Sequence, residues 1–347
     1  MGEQLSQHTT LRLGGPAQEL LTHTDPATWP DLAHAARRHP NPPCTLGGGS
    51  NILAADAGYP GLVIRMATTG ISARAVGDGA VEVTVQAGEP LQHLVRYTVA
   101  EHLSGIEYLA GIPGSVGAAP VQNSGAYGQQ IADTLTAVTA HDWRSGQIVH
   151  LPATSCGFGY RTSRFKTEPG RWTILAVTLR LTRSRHAAPV TYQHLADTLG
   201  VPLGTRPPLA EAVDGVLADR RSRGLLLPID GPDARQVGSV FLNPPLTPNQ
   251  AAMVGASGGP LNRHDSTDGR QIVRASAGWL LQQCGHHPGQ RLAPGVYCST
   301  RRTLTLVASD GATATAFATA LRTLAGQVMR QTGIRLRPEP VMVGHHI

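Results

Sequence analysis

The sequence predicts a mixed α+β chain of two or three domains, and three observations carry that expectation. The length, 347 residues, exceeds one small module. Hydrophobic residues make up 41% of the chain and charged residues 15%, enough apolar surface for real cores and too much for a disordered chain. Helical spacing and strand alternation also take turns along the sequence instead of segregating into blocks.

In chain order, Asp25-Pro26 supplies a capping residue and a first-turn proline for a short helix that reaches His39 and stops at Pro40-Asn41-Pro42-Pro43. Cys44-Thr45-Leu46 reads as a strand running into Gly47-Gly48-Gly49-Ser50-Asn51. Leu62 to Ile64 and the alternating Val81 to Val85 are strands, and Pro90 to Leu103 is an amphipathic helix. From Gly105 to Gly128 periodicity vanishes, and Gly111, Gly114, Gly117, Gly125 and Gly128 punctuate a mostly uncharged segment of Ala, Pro, Ser, Asn and Gln. A loop this long is functional or disordered, and its low charge and apolar content argue for order. Leu135 to His141 and Gln147 to Leu151 form a hairpin around Arg144-Ser145-Gly146, Ile174 to Leu181 is a buried strand, and a helix is expected between 183 and 208. A boundary falls near 205 to 220. Beyond it come a helix from Leu209 to Arg220, a loop holding Gly238-Ser239 and Asn243-Pro244, and a helix from Ser276 to Cys284. A strand at Leu304 to Val307, a long helix from Thr313 to Thr332 and a closing strand at Pro340 to Val343 complete the chain.

Composition excludes several function classes. There are 29 Lys plus Arg and 23 Asp plus Glu, so 29 minus 23 leaves a modest +6, with no long basic run. Aromatics are 4%, too few for a stacking platform on single-stranded nucleic acid. Only one of those basic residues is a lysine, Lys166; the rest are arginines. Four scattered cysteines form no C-x-x-C, and the histidines form no H-E-x-x-H, so no metal site is expected. No run of about 18 apolar residues or signal-peptide pattern occurs, so a soluble cytoplasmic protein without membrane contacts is expected.

Gly47 to Asn51 can turn sharply and offer successive N–H groups to a phosphate, yet it is neither a Walker loop nor a G-x-G-x-x-G. Alone it could equally be a tight turn. With the second glycine-rich loop, Ala110 to Gly128, it suggests a large ligand that carries a diphosphate and a flat ring. Arg161 could be a solvated cation or a bidentate carboxylate clamp. Ser239 by itself reads as a turn residue, and Glu339, between two prolines, as an exposed glutamate. Gly255-Ala256-Ser257-Gly258-Gly259 matches the nucleophile elbow G-x-S-x-G, but a helix precedes it where a strand is required.

Eight segments in order resemble the UDP-N-acetylenolpyruvoylglucosamine reductase family. They are His8 to Ala17, Leu46 to Asn51, Gly111 to Ala118, Gln122 to Gly128, Tyr160 to Lys166, Gly238 to Pro244, Ser276 to Leu280 and Pro338-Glu339-Pro340, and the match runs from about 8 to 344. The resemblance implies an FAD-binding domain of the vanillyl-alcohol oxidase and p-cresol methylhydroxylase type, made of two α/β subdomains (1–70 and 71–210). A substrate-binding α+β domain (211–335) and a C-terminal segment returning to the active site (336–347) follow.

By that resemblance, Gly47, Gly48, Gly49, Ser50, Asn51, Gly111, Ile112, Pro113, Gly114, Ser115, Gly117, Ala118, Asn123 and Gly125 would hold noncovalent FAD. Tyr127, Asn243 and Gln283 would contact a UDP sugar, and NADPH would reduce the flavin. Arg161 and Glu339 would flank the substrate carboxylate, and Ser239 would act as the general acid. Glu339 helps there only if protonated or poised to share a proton. The implied activity is reduction of UDP-N-acetylglucosamine-enolpyruvate to UDP-N-acetylmuramate for peptidoglycan, by a monomer that binds no nucleic acid. Val240 and Leu242 stand where a second aromatic and a polar residue are usual, and Arg301-Arg302 where a Lys-His pair is. Two alternatives stay open: a paralogue acting on another enolpyruvyl ether, and a noncatalytic flavin-binding protein.

Overall fold

Two units divide the chain, each assembled from stretches distant in sequence. The first comprises 1–17, 49–60 and 228–347, the second 18–48 and 61–227. The computed structural model describes residues 2–265 and 271–345.

In the second unit, Val81, Val83 and Val85 all point inward along the strand Ala80–Gln86, as alternation requires. This strand pairs antiparallel with the central strand Trp172–Arg183, whose other edge takes Leu135–Asp142. The register sets Val85, Val177 and Val138 in a row, each fully buried. Gln147–Pro152 and Ile71–Gly77 close the two edges of the sheet. The helix Leu91–Ala100 buries Leu91, Leu94, Val95 and Thr98, one stripe at 3.6-residue spacing. It stops short of the expected Leu103, because Leu103–Ser104 instead pairs as a strand with Thr182 and Arg183. A smaller sheet joins Ala17–His23, Tyr59–Met66 and Cys44–Leu46.

The helix expected between 183 and 208 shrinks to Gln193–Leu199. Pro189, Pro202 and Pro207 cannot donate to a helical ladder. The flanks pair through their backbones instead, Ala187 N–H to Pro207 O at 2.8 Å and Val190 N–H to Thr205 O at 2.9 Å.

The first unit is built on a four-stranded antiparallel sheet in the order Gln236–Ser239, Thr305–Ala308, Val296–Cys298, Arg291–Ala293. The long helix Ala314–Thr332 lays Phe317, Leu321, Leu324 and Val328 on a core shared with Leu11, Leu13, Leu53, Leu280 and Leu306. Asp56 caps that helix, accepting from Ala314 N–H at 2.7 Å and from Thr315 N–H at 2.8 Å. The segment Gly238-Ser239, expected as loop, is the end of a strand. Gly238 adopts φ +75° and shifts the register there, which hides the two-residue period. Ser257 follows the helix Pro248–Ala256 in a turn, so the G-x-S-x-G match lacks the strand an elbow needs. No described helix is long and apolar enough to cross a membrane. No group of His, Cys, Asp and Glu among the described residues could hold a metal, and the four cysteines are free thiols.

Candidate active site

In the second unit the two glycine-rich loops meet backbone to backbone. A Cβ on Gly48 would stand 2.9 Å from Gly114 Cα, and one on Gly47 would collide with Ser115 Oγ. Only glycine permits that approach. The 3-10 helix Val116–Gln122 follows, fixed by Val116 N–H to Glu89 O and Gly117 N–H to Ala87 O, both at 2.8 Å. Gly117 therefore serves close packing on Ala87, where any Cβ would come within 2.5 Å of the Ala87 Cβ. Gly111, at φ +70°, gives its N–H to Gln92 Oε1 at 2.5 Å and has Arg220 packed against it.

Three buried polar atoms beside these loops have no protein partner: Ser115 Oγ, Gln92 Nε2 and Arg220 Nε. A buried donor without an acceptor costs about 1–3 kcal/mol, so the cradle is complementary to a polar, anionic ligand. Close glycines, an idle hydroxyl and a buried guanidinium fit a flavin dinucleotide. Gln92 and Arg220 were not foreseen from sequence; their only signal is a polar residue near a helix end, Gln92 at the start of Leu91–Ala100 and Arg220 in the last turn of Leu209–Ser222.

Asn123 turns its backbone to φ +47° and is fully engaged, with Nδ2 donating to Gln130 Oε1 and Gly159 O and Oδ1 accepting from Ala132 N–H. Arg161 reaches the same loop, donating from Nη2 to Gly125 O at 2.6 Å. Arg161 itself lies at φ +53°, a left-handed conformation that costs a non-glycine residue about 1–2 kcal/mol. Tyr127, also at positive φ, donates its hydroxyl to Asp219 Oδ2 at 2.6 Å, and Arg223 pairs with the same oxygen at 3.1 Å. Burial, then the hydrogen bond to Asp219, push the Tyr127 phenol up to about 12, so it stays protonated.

In the first unit, Gly49 at φ +62° accepts Thr10 N–H, and a Cβ there would strike His8 O. The neighbouring Asn51 draws in the C-terminal segment: its Nδ2 donates to Glu339 O at 3.3 Å, and its carbonyl accepts Val341 N–H at 2.9 Å. Val341–Val343 then runs parallel to Ile52–Ala54. Glu339 N–H in turn donates to Val240 O at 2.9 Å, beside Ser239. Asn51, Ser239 and Glu339, separated by up to 288 positions, are thus brought together. Glu339 is half-buried, not the exposed residue that its proline neighbours suggest. Asn243 Oδ1 accepts Ala277 N–H at 3.0 Å, holding the start of the helix Ala277–Gln283, and Gln283 lies exposed at the end of it.

Residues 19–152 match the FAD binding domain family, and 231–343 match the C-terminal domain of UDP-N-acetylenolpyruvoylglucosamine reductase. A UDP-N-acetylenolpyruvoylglucosamine reductase of Thermobifida fusca is 39% identical over 345 residues, covering 98% of this chain and 96% of its own. The chain belongs to the UDP-N-acetylenolpyruvoylglucosamine reductase family. A Salinispora arenicola member is 40% identical over 353 residues, with 98% and 94% covered. The crystal structure of the Thermus caldophilus family member superposes with a TM-score of 0.64 at 25% identity, covering 98% of this chain and 97% of that one. The α+β architecture is therefore an FAD-binding domain followed by the family's C-terminal domain, as the eight segments imply.

Proposed function

We propose that this chain reduces the enolpyruvyl ether of UDP-N-acetylglucosamine-enolpyruvate to UDP-N-acetylmuramate in cytoplasmic peptidoglycan synthesis, with NADPH as reductant. The observation that carries this reading is the link of Glu339 N–H to Val240 O beside Ser239, in a chain related to the reductases over 98% of its length.

Gly47 to Asn51, Gly111 to Ala118, Asn123 and Gly125 would hold FAD, which would supply the chemistry of hydride transfer from NADPH to the terminal vinyl carbon. Charge then develops on the neighbouring carbon and in the carboxylate, so residues that favour this charge accelerate the step. Arg161 binds the carboxylate as a guanidinium. Glu339 shares a proton with it in the protonated form. Ser239 delivers its hydroxyl proton to the carbon beside the carboxylate, a role for which position matters more than acidity. For the sugar nucleotide, Asn243 offers its amide NH2, since its Oδ1 is occupied. Tyr127 offers an acceptor oxygen, since its proton goes to Asp219, and Gln283 offers an exposed amide.

Anaerobic mixing of the yellow protein with NADPH, followed by the UDP enolpyruvyl substrate, tests this. Bleaching and then stoichiometric reoxidation are expected. Bleaching without reoxidation would overturn the substrate, and a colourless protein that takes up no FAD would overturn the flavin.

A further inference from the structure

The geometry points to Lys166 as a positioning residue that aims Arg161 by holding its backbone in the left-handed conformation. The inference rests on the proposed role of Arg161 at the substrate carboxylate. Three observations support it. Lys166 Nζ donates to Arg161 O at 3.2 Å, reaching back five residues from the one-turn helix Arg164–Thr167. Arg161 is held at φ +53° in a tight turn closed by Gly159 N–H to Thr162 O at 3.1 Å, and the orientation of its carbonyl is what defines that turn. The third observation is compositional: this is the only lysine in a chain whose other 28 basic residues are arginines.

A lysine and an arginine differ here in shape more than in charge. An ammonium is a compact point donor on a flexible stem and can seat on a single carbonyl oxygen. A guanidinium spreads its donors over a planar fork that prefers paired acceptors. The arginine on the other side of this contact does use its fork that way, with Nη2 on Gly125 O and Nη1 on Asn123 O at 3.5 Å. Ser163 Oγ, donating to Val121 O at 2.6 Å, ties the same segment to the glycine-rich loop. The backbone of Arg161 is therefore fixed by Lys166 while its head group is fixed by the loop. With the ammonium removed, the left-handed turn relaxes and the guanidinium shifts relative to the carboxylate it binds. A displacement of about 1 Å at such a group slows a reaction by up to 100-fold.

The test measures flavin reduction by NADPH and reoxidation by the UDP substrate separately, in the full FAD-loaded chain. Lys166→Met is expected to slow reoxidation about tenfold while bleaching by NADPH stays within about threefold of the parent. Lys166→Arg, which keeps the charge and loses the point donor, is expected to be slowed comparably; full recovery with arginine would overturn the inference, because charge alone would then suffice. The decisive measurement is a double-mutant cycle. In an Arg161→Lys background, Lys166→Met is expected to cost nothing further, since its effect passes through the guanidinium; an additive loss would mean a general structural role and overturn the inference. Where Lys166→Met fails to fold, Lys166→Gln takes its place in the cycle with the same expected non-additivity. Arg161→Met with normal reoxidation would sink the proposed function itself. Slow Arg161→Met with normal Lys166→Met would sink this inference alone.

Discussion

A serine hydroxyl is a poor acid in water, so assigning proton delivery to Ser239 makes a sharp demand on one oxygen atom. Ser239→Ala is expected to leave NADPH reduction of the flavin intact and to slow reoxidation by the UDP substrate at least about 100-fold. Stopped-flow absorbance of the flavin separates the two half-reactions, and normal reoxidation would remove Ser239 from the mechanism. At this scale the sequence was legible as motif and illegible as environment. Ser239 read alone was a turn residue, and Glu339 an exposed glutamate. Neither reading could include the bond from Glu339 N–H to Val240 O, because local pattern does not report a contact across about a hundred positions. Asp219, which accepts the Tyr127 hydroxyl hydrogen bond, was invisible for the same reason: on its helix it looks like one more polar position.

Elements carry the cofactor and much of the stability. The approach of Gly48 to Gly114 joins two backbones, so neither can swing aside as a flexible side chain would. Gly48→Ala is accordingly expected to purify with little flavin and to bind added FAD at least about tenfold more weakly, which a fluorescence titration would read. Near-parental affinity would argue that the loops do not enclose the cofactor there. Asp56 offers a different kind of test. Burial alone would raise its pKa, but the hydrogen bonds from Thr315 and Ala314 outweigh that and hold the carboxyl below its ordinary 3.8. A carboxyl whose folded pKa is depressed stabilises fully above its unfolded value and loses that contribution as pH falls through the folded one. Asp56→Ala should thus cost about 1 kcal/mol at neutral pH. The gap from the parent in urea unfolding should shrink as the pH falls below the carboxyl's ordinary 3.8 and through its depressed folded value. Strong periodicity made most elements readable, as in Val81 to Val85 and the long helix to Thr332. Where prolines or a positive-φ glycine interrupt the period, as between 183 and 208 and at Gly238, the pattern misleads.

For the whole molecule, the distribution of each unit along the chain matters most. The family's C-terminal domain matches 231–343, which invites its expression alone. Yet the core of that unit includes Leu11, Leu13 and Leu53, all buried, and the strand Val341–Val343 pairs with Ile52–Ala54. Losing a buried leucine costs roughly 2–5 kcal/mol, and the stability of a domain is only about 5–15 kcal/mol. Residues 228–347 by themselves are therefore expected to show no cooperative thermal transition by circular dichroism. A transition close to that of the full chain would show that the N-terminal stretches are dispensable. Nothing local in 1–17 or 49–60 announces a partner so far downstream, which is why the sequence does not report this pairing.

That distribution also sets an order of events on the ribosome. Residues 18–48 and 61–227 are complete before translation reaches 228, so the second unit can close while the chain is still growing. Leu11, Leu13 and Leu53 have emerged by then with nowhere to go. At about 5–20 residues per second they wait on the order of ten to sixty seconds for their partners to be made. The strand Ile52–Ala54 waits for a neighbour, Val341–Val343, that is made long after it, since 341 minus 52 is 289 positions. Nascent chains of this protein should consequently lean on chaperones through their N-terminal leucines.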